Sequence, residues 1–206
     1  MQSAPQENTT ISADSYLPGT KAGRRCKQTM ENIILTGMPG CGKSTVGVIL
    51  AKTLGMDFID TDLIIQIQQK DKLQPLLDRY GTERFRQFEE QALLSVTAKE
   101  DTVIATGGSA VFCEQGMSHL KKNGICVYLE VPCEELVRRL RNIKTRGIAA
   151  AKGMTVEDIF NERSPYYEKH ADLRIKCSAD SIEENAASII EAVTGGKGSI
   201  CSTDTN

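Results

Sequence analysis

No eight residues constrain this chain more than Gly37-Met38-Pro39-Gly40-Cys41-Gly42-Lys43-Ser44. They read G-x-x-x-x-G-K-S, behind the apolar run Asn32-Ile33-Ile34-Leu35-Thr36 and ahead of helical spacing over 43–54. Strand, glycine-rich loop and helix in that order make a phosphate-binding loop. The glycines let the backbone curl so that successive N–H groups point at one anion, and the helix adds its positive N-terminal dipole. Gly40, Cys41, Gly42, Lys43, Ser44 and Thr45 are the candidate contacts to ATP. Lys43 can reach the β and γ phosphates, and the Ser44 hydroxyl can ligate Mg²⁺. The alternative is a glycine-rich structural turn, with Cys41 there only for packing.

Beyond this loop, strand-like runs alternate with helical ones. The strands fall at 32–36, 57–60, 102–106, 125–131 and 173–177, and the helices at 43–54, 61–70, 83–99, 132–142, 156–170 and 181–193. Most strand runs are continuously apolar, as for strands covered on both faces of a parallel sheet. The alternation predicts an α/β fold, a three-layer sandwich with right-handed crossovers. At 206 residues the chain suits one domain. Residues 1–29 are polar, Ser/Thr-rich and aperiodic, and read as a disordered extension, an organelle transit peptide being the other reading; Met30 then becomes a candidate start. A single domain would occupy 30–194, with 195–206 a flexible tail.

Composition removes several function classes. A net charge of -2, few aromatics and no Trp argue against nucleic acid, and no apolar run is long enough to span a bilayer. Seven scattered cysteines, no C-x-x-C and two histidines give no zinc site and suggest reduced thiols. The chain is expected to be cytoplasmic and monomeric, acting on a small molecule.

A second acidic feature follows the second strand run, where Phe58-Ile59-Asp60-Thr61-Asp62-Leu63 sets two carboxylates one residue apart. An extended backbone sends both in similar directions at the C-terminal edge of a strand, where open α/β sheets bind ligands. Beside a phosphate loop, Mg²⁺ is the natural partner for one, and the other can hold or deprotonate a substrate hydroxyl. Either one can instead cap the helix at 61–70.

With these residues in view, the run from Gly37 to Ile65 resembles the opening of the shikimate kinases, in the nucleoside-monophosphate-kinase-like branch of P-loop proteins. Phe85-Arg86-Gln87-Phe88-Glu89 is similar to that family's F-R-x-x-E segment. Gly107-Gly108-Ser109 resembles its Gly-Gly-Gly turn, and Arg163-Ser164-Pro165-Tyr166-Tyr167 its R-x-P-x-Y helix segment. The resemblance covers roughly residues 30–193 and implies a five-stranded parallel sheet of order 2-3-1-4-5, with a substrate-binding region at about 61–90 and a lid at about 143–156. It implies ATP- and Mg²⁺-dependent phosphorylation of the 3-hydroxyl of shikimate. Carried over, Asp60 and Ser44 would serve the metal, and Asp62 would bind the acceptor hydroxyls and act as candidate base. Arg86, Arg163 and the backbone of Gly107 and Gly108 would hold the acceptor. Lys43 and Arg146, a lid arginine, would act on the phosphates, with Arg139 against adenine. Glu89 would orient Arg86. Surface ion pairs with Glu83, Glu89 and Glu90, or with Asp158, Glu162 and Glu168, are the plainer readings of Arg86 and Arg163; a solvated helix arginine is that of Arg139.

Two departures fall where the acceptor is chosen. The family's lid usually reads Arg-Pro-Leu-Leu, whereas Arg146 precedes Gly147-Ile148, and Ser109 replaces the third glycine of the turn. Two other functions therefore stay open: a related kinase for another hydroxylated acid such as gluconate, and a nucleotide-binding regulatory module without catalysis.

Overall fold

The computed structural model describes residues 30–140, 148–150, 153–178 and 181–195. Within them run β1 (Asn32–Thr36), α1 (Lys43–Leu54), β2 (Asp57–Asp60), α2 (Thr61–Gln69), α3 (Leu73–Ser95), β3 (Thr102–Ala105), α4 (Glu114–Lys121), β4 (Gly124–Glu130), α5 (Cys133–Arg139), α6 (Val156–His170), β5 (Leu173–Lys176) and α7 (Ile182–Thr194). All strand pairings are parallel, in the order β2-β3-β1-β4-β5.

The period-two alternation of β1 builds the three layers. Ile33 and Leu35 pack into one core with Val46 and Leu50 of α1, Leu136 of α5 and Ile189 of α7. Ile34 points the other way and meets Leu93 of α3 with Met117 and Leu120 of α4. Every residue of β1 is buried, as a central strand covered on both faces requires. A third apolar cluster, with Ile65, Leu76, Phe85 and Phe88, joins α2 to α3 and includes Ala149. It fixes the helix that carries Arg86 and Glu89.

The five expected strands are all present, but two helical features are not as expected. Residues 114–121 form α4, which the sequence reading left without structure. The segment has Gly116 inside it and no side-chain cap, so its local signals are poor. That glycine is required by packing, because a Cβ there would sit 2.6 Å from Leu93 Cδ1. Helix α3 begins at Leu73, ten residues earlier than expected, and ends at Ser95 rather than 99. Gly81, at φ 74°, kinks it and hides its first turns from a periodicity search. Residues 1–29, 196–206 and half of the expected lid, 143–147 and 151–152, lie outside the described residues.

Candidate active site

The C-terminal ends of β1, β2 and β3 converge on one cleft of about 490 Å³. Its wall includes Gly42, Lys43, Ser44 and Thr45 from the phosphate loop, Asp62 from α2, Glu89 from α3 and Arg163 from α6. Gly37 and Gly42 hold left-handed backbone, at φ 142° and 100°, and a Cβ on Gly37 would meet the Leu129 carbonyl at 2.8 Å. Substitution at Gly37 is blocked both by conformation and by space. Gly42 caps α1, so Ser44 and Thr45 stand exposed in its first turn with the N-terminal dipole. The Lys43 ammonium donates to the Gly37 and Met38 carbonyls at 2.8 and 3.0 Å. Loop and lysine thus form one positively charged cradle.

The two carboxylates after β2 do different things. One oxygen of Asp60 accepts the Asp62 N–H at 2.9 Å and caps α2, so the capping reading is realised at Asp60. Asp62, one turn position on, faces the cleft. Burial raises its carboxyl from 3.8 to about 6, with the Asp60 charge adding to the rise and Lys43 opposing it.

A third carboxylate, Glu89, is buried on the same wall, and the Ser109 hydroxyl reaches both its oxygens, at 2.7 and 2.6 Å. Burial raises Glu89 from 4.5 to about 7; the Ser109 hydrogen bond opposes this, Asp62 adds to it, and Arg163 and Arg86 oppose it. A Cβ on Gly107 would lie 2.7 Å from a Glu89 oxygen and 2.8 Å from an Asp62 oxygen. Gly107 is therefore the point where two carboxylates approach.

Arg163 is wholly buried, which rules out the surface ion-pair reading. Its guanidinium donates to the Ala149 carbonyl and lies 5.8 Å from the Phe112 ring. The Arg86 guanidinium stacks on the same ring at 4.3 Å. The Nε atoms of both arginines are buried without a hydrogen-bond partner among the described residues. Glu89 does not orient Arg86 as expected; its carboxylate is engaged by Ser109 instead. Gly108 presents its carbonyl to the Tyr167 hydroxyl at 2.5 Å, and a Cβ there would overlap Pro39. Arg139 bonds to Glu135 and reaches the Gly40 carbonyl at 3.3 Å, beside the phosphate loop rather than out in solvent. Arg146 lies outside the described residues. Sequence reasoning missed the Ser109–Glu89 bond and the part of Phe112, for which no local signal exists.

Residues 39–194 match the family model described as shikimate kinase. The chain belongs to the shikimate kinase family. Membership makes it a kinase, and the strand order agrees with that family's fold. The chain is 34% identical over 171 residues to shikimate kinase of Caldanaerobacter subterraneus subsp. tengcongensis, covering 82% of this chain and 99% of the relative. Shikimate kinase from Acinetobacter baumannii, solved in complex with shikimate, superposes with a TM-score of 0.75 at 30% identity, over 82% of this chain and 95% of that one. Threonine synthase-like 1 of Homo sapiens is 38% identical over 79% of this chain, a match that spans 22% of that longer protein.

The donor set near the loop suits the metal a shikimate kinase would use. Ser44 and the second oxygen of Asp60 are hard oxygen donors, which favour Mg²⁺ over softer metals. No group of three or more His, Cys, Asp or Glu able to hold an ion occurs among the described residues. A Mg²⁺ carried largely by nucleotide phosphates and water needs no such cage.

Proposed function

We propose that this protein transfers the γ-phosphoryl group of ATP to the 3-hydroxyl of shikimate. The observation that carries the reading is one cleft lined by a phosphate cradle, the Asp62 carboxylate and Arg163, with Arg86 sharing the Phe112 ring with Arg163; the buried Nε atoms of both arginines lack hydrogen-bond partners among the described residues. Guanidinium forks pair bidentately with a carboxylate, so an acceptor acid would satisfy them. The phosphate end of the cleft takes ATP through Gly40–Thr45, with Arg139 beside Gly40; Arg146 is assigned to the phosphates by its place in the sequence alone. The opposite end takes the acid through Arg86, Arg163 and the Gly107–Gly108 backbone.

In the transfer, the acceptor oxygen bonds to the γ phosphorus as the bridging bond to ADP breaks, and the hydroxyl proton passes to Asp62. Ser44 and Asp60 would hold Mg²⁺, which would supply charge neutralisation at the phosphates. Lys43 lies beside the same phosphates. Such a transfer asks mainly for position and charge, so a weak base suffices. Ile148 and Ala149, which belong to the expected lid, line the cleft wall, and this supports a water-excluding role for them. The protein is read as a cytoplasmic monomer, which gel filtration of the purified chain tests.

A second reading, a related acceptor acid, is favoured by Ser109, whose side chain stands in the acceptor half of the cleft. A coupled ADP-release assay across shikimate, gluconate and similar hydroxylated acids separates the two. Turnover with shikimate well above the others supports the first reading. Turnover only with another acid replaces the acceptor.

A further inference from the structure

The acceptor half of the cleft holds an electrostatic oddity. One buried carboxylate, Glu89, lies close enough to Arg86 and Arg163 for both to lower its pKa, yet it forms an ion pair with neither among the described residues. In a buried setting such charges pair when nothing else engages them. Two side chains from the turn after β3 engage them here, beside the Ala149 carbonyl and the Tyr167 hydroxyl that Arg163 also meets. Ser109, itself only 2% exposed, takes both Glu89 oxygens. Phe112 offers its ring to Arg86 at 4.3 Å and to Arg163 at 5.8 Å, and is itself held edge-on by Tyr166 at 4.8 Å.

We propose that Ser109 and Phe112 are positioning residues that hold Glu89 apart from Arg86 and Arg163, keeping both guanidinia available for the anionic group of the acceptor. A guanidinium already paired to Glu89 would have to break that pair before binding an acid. One laid on an aromatic face keeps its in-plane donors free, because the ring contacts the face of the cation and not its edge. The hydroxyl and the ring thus divide the pocket into a negative site already satisfied and a positive site still open. The inference rests on the proposed acidic acceptor.

The test compares Ser109→Ala, Phe112→Leu and Phe112→Tyr with the wild type at pH 8. Ser109→Ala frees Glu89, and Phe112→Leu keeps apolar bulk but removes the ring; each should raise the KM for shikimate about tenfold, as loss of desolvated cation–π or charge-assisted contacts of this kind implies. The KM for ATP should stay within about twofold, the margin expected of an undisturbed remote site. Phe112→Tyr, which retains the ring, should restore the acceptor KM, and Glu89→Gln added to Ser109→Ala should suppress the defect, since a neutral amide cannot form an ion pair with arginine. Equal losses for shikimate and ATP, no rescue by Phe112→Tyr, or unchanged KM values would overturn the assignment. A crystal structure of Ser109→Ala decides the same point without turnover: Glu89 within ion-pair distance of Arg86 or Arg163 supports it, and Glu89 still apart from both refutes it. If the wild type does not turn over shikimate, the proposed function fails while the variant structure still rules on the positioning.

Discussion

Asp62 and Glu89 approach the same glycine, yet their surroundings assign them different work. Asp62 lines the cleft beside Lys43, whereas Glu89, on the same wall, is spent on Ser109. Replacing Asp62 by Asn keeps size and removes the charge. If Asp62 holds and deprotonates the attacking hydroxyl, Asp62→Asn should lower kcat about 10²–10⁴-fold with little change in ATP affinity; a near-wild-type kcat would leave Asp62 only a helix-start residue. Glu89 instead governs stability. Its folded-state pKa, about 7, lies above the 4.5 of the unfolded chain, so the folded state binds the proton more tightly. That contribution is full below about pH 4.5 and is lost as pH rises through about 7, at most about 3 kcal/mol from a shift of this size. Urea unfolding of Glu89→Gln should therefore show a shallower fall in stability between pH 5 and pH 8 than the wild type. Parallel curves would mean that Glu89 is not the buried acid responsible.

At the scale of elements, what could be read from the sequence was whatever a local pattern encodes. The apolar run of β1 and the glycines of the phosphate loop follow from spacing alone, and all five strands were legible. Helix α4 was not, because Gly116 is a poor helix residue locally and is required only by contact with Leu93. Gly116→Ala should improve helix propensity yet destabilise the protein by about 1–3 kcal/mol through overpacking, read as a lower urea midpoint. A raised midpoint would mean that α3 and α4 can part at no cost. The proposed acceptor pocket shows the same division. Arg86 and Arg163 were legible from their motifs, but their shared ring and the capture of Glu89 by Ser109 join residues 20 or more positions apart, which no local window contains.

Over the whole molecule, the sheet sets a line of charge along one edge. The phosphate cradle after β1, Asp62 after β2, the 107–112 turn after β3 and Arg163 from α6 meet only because β3 inserts between β1 and β2. Binding should therefore separate by region. Arg163→Ala should weaken shikimate binding at least tenfold, as loss of a bidentate charge-assisted contact does, while calorimetry finds ATP binding nearly intact; equal loss of both would show that Arg163 supports the fold rather than the acceptor. The central claim is phosphoryl transfer to shikimate, and ³¹P NMR of the purified protein with ATP, Mg²⁺ and shikimate tests it most directly. One phosphate monoester on shikimate should appear for each ADP formed. Inorganic phosphate alone, or unchanged ATP, would contradict the claim.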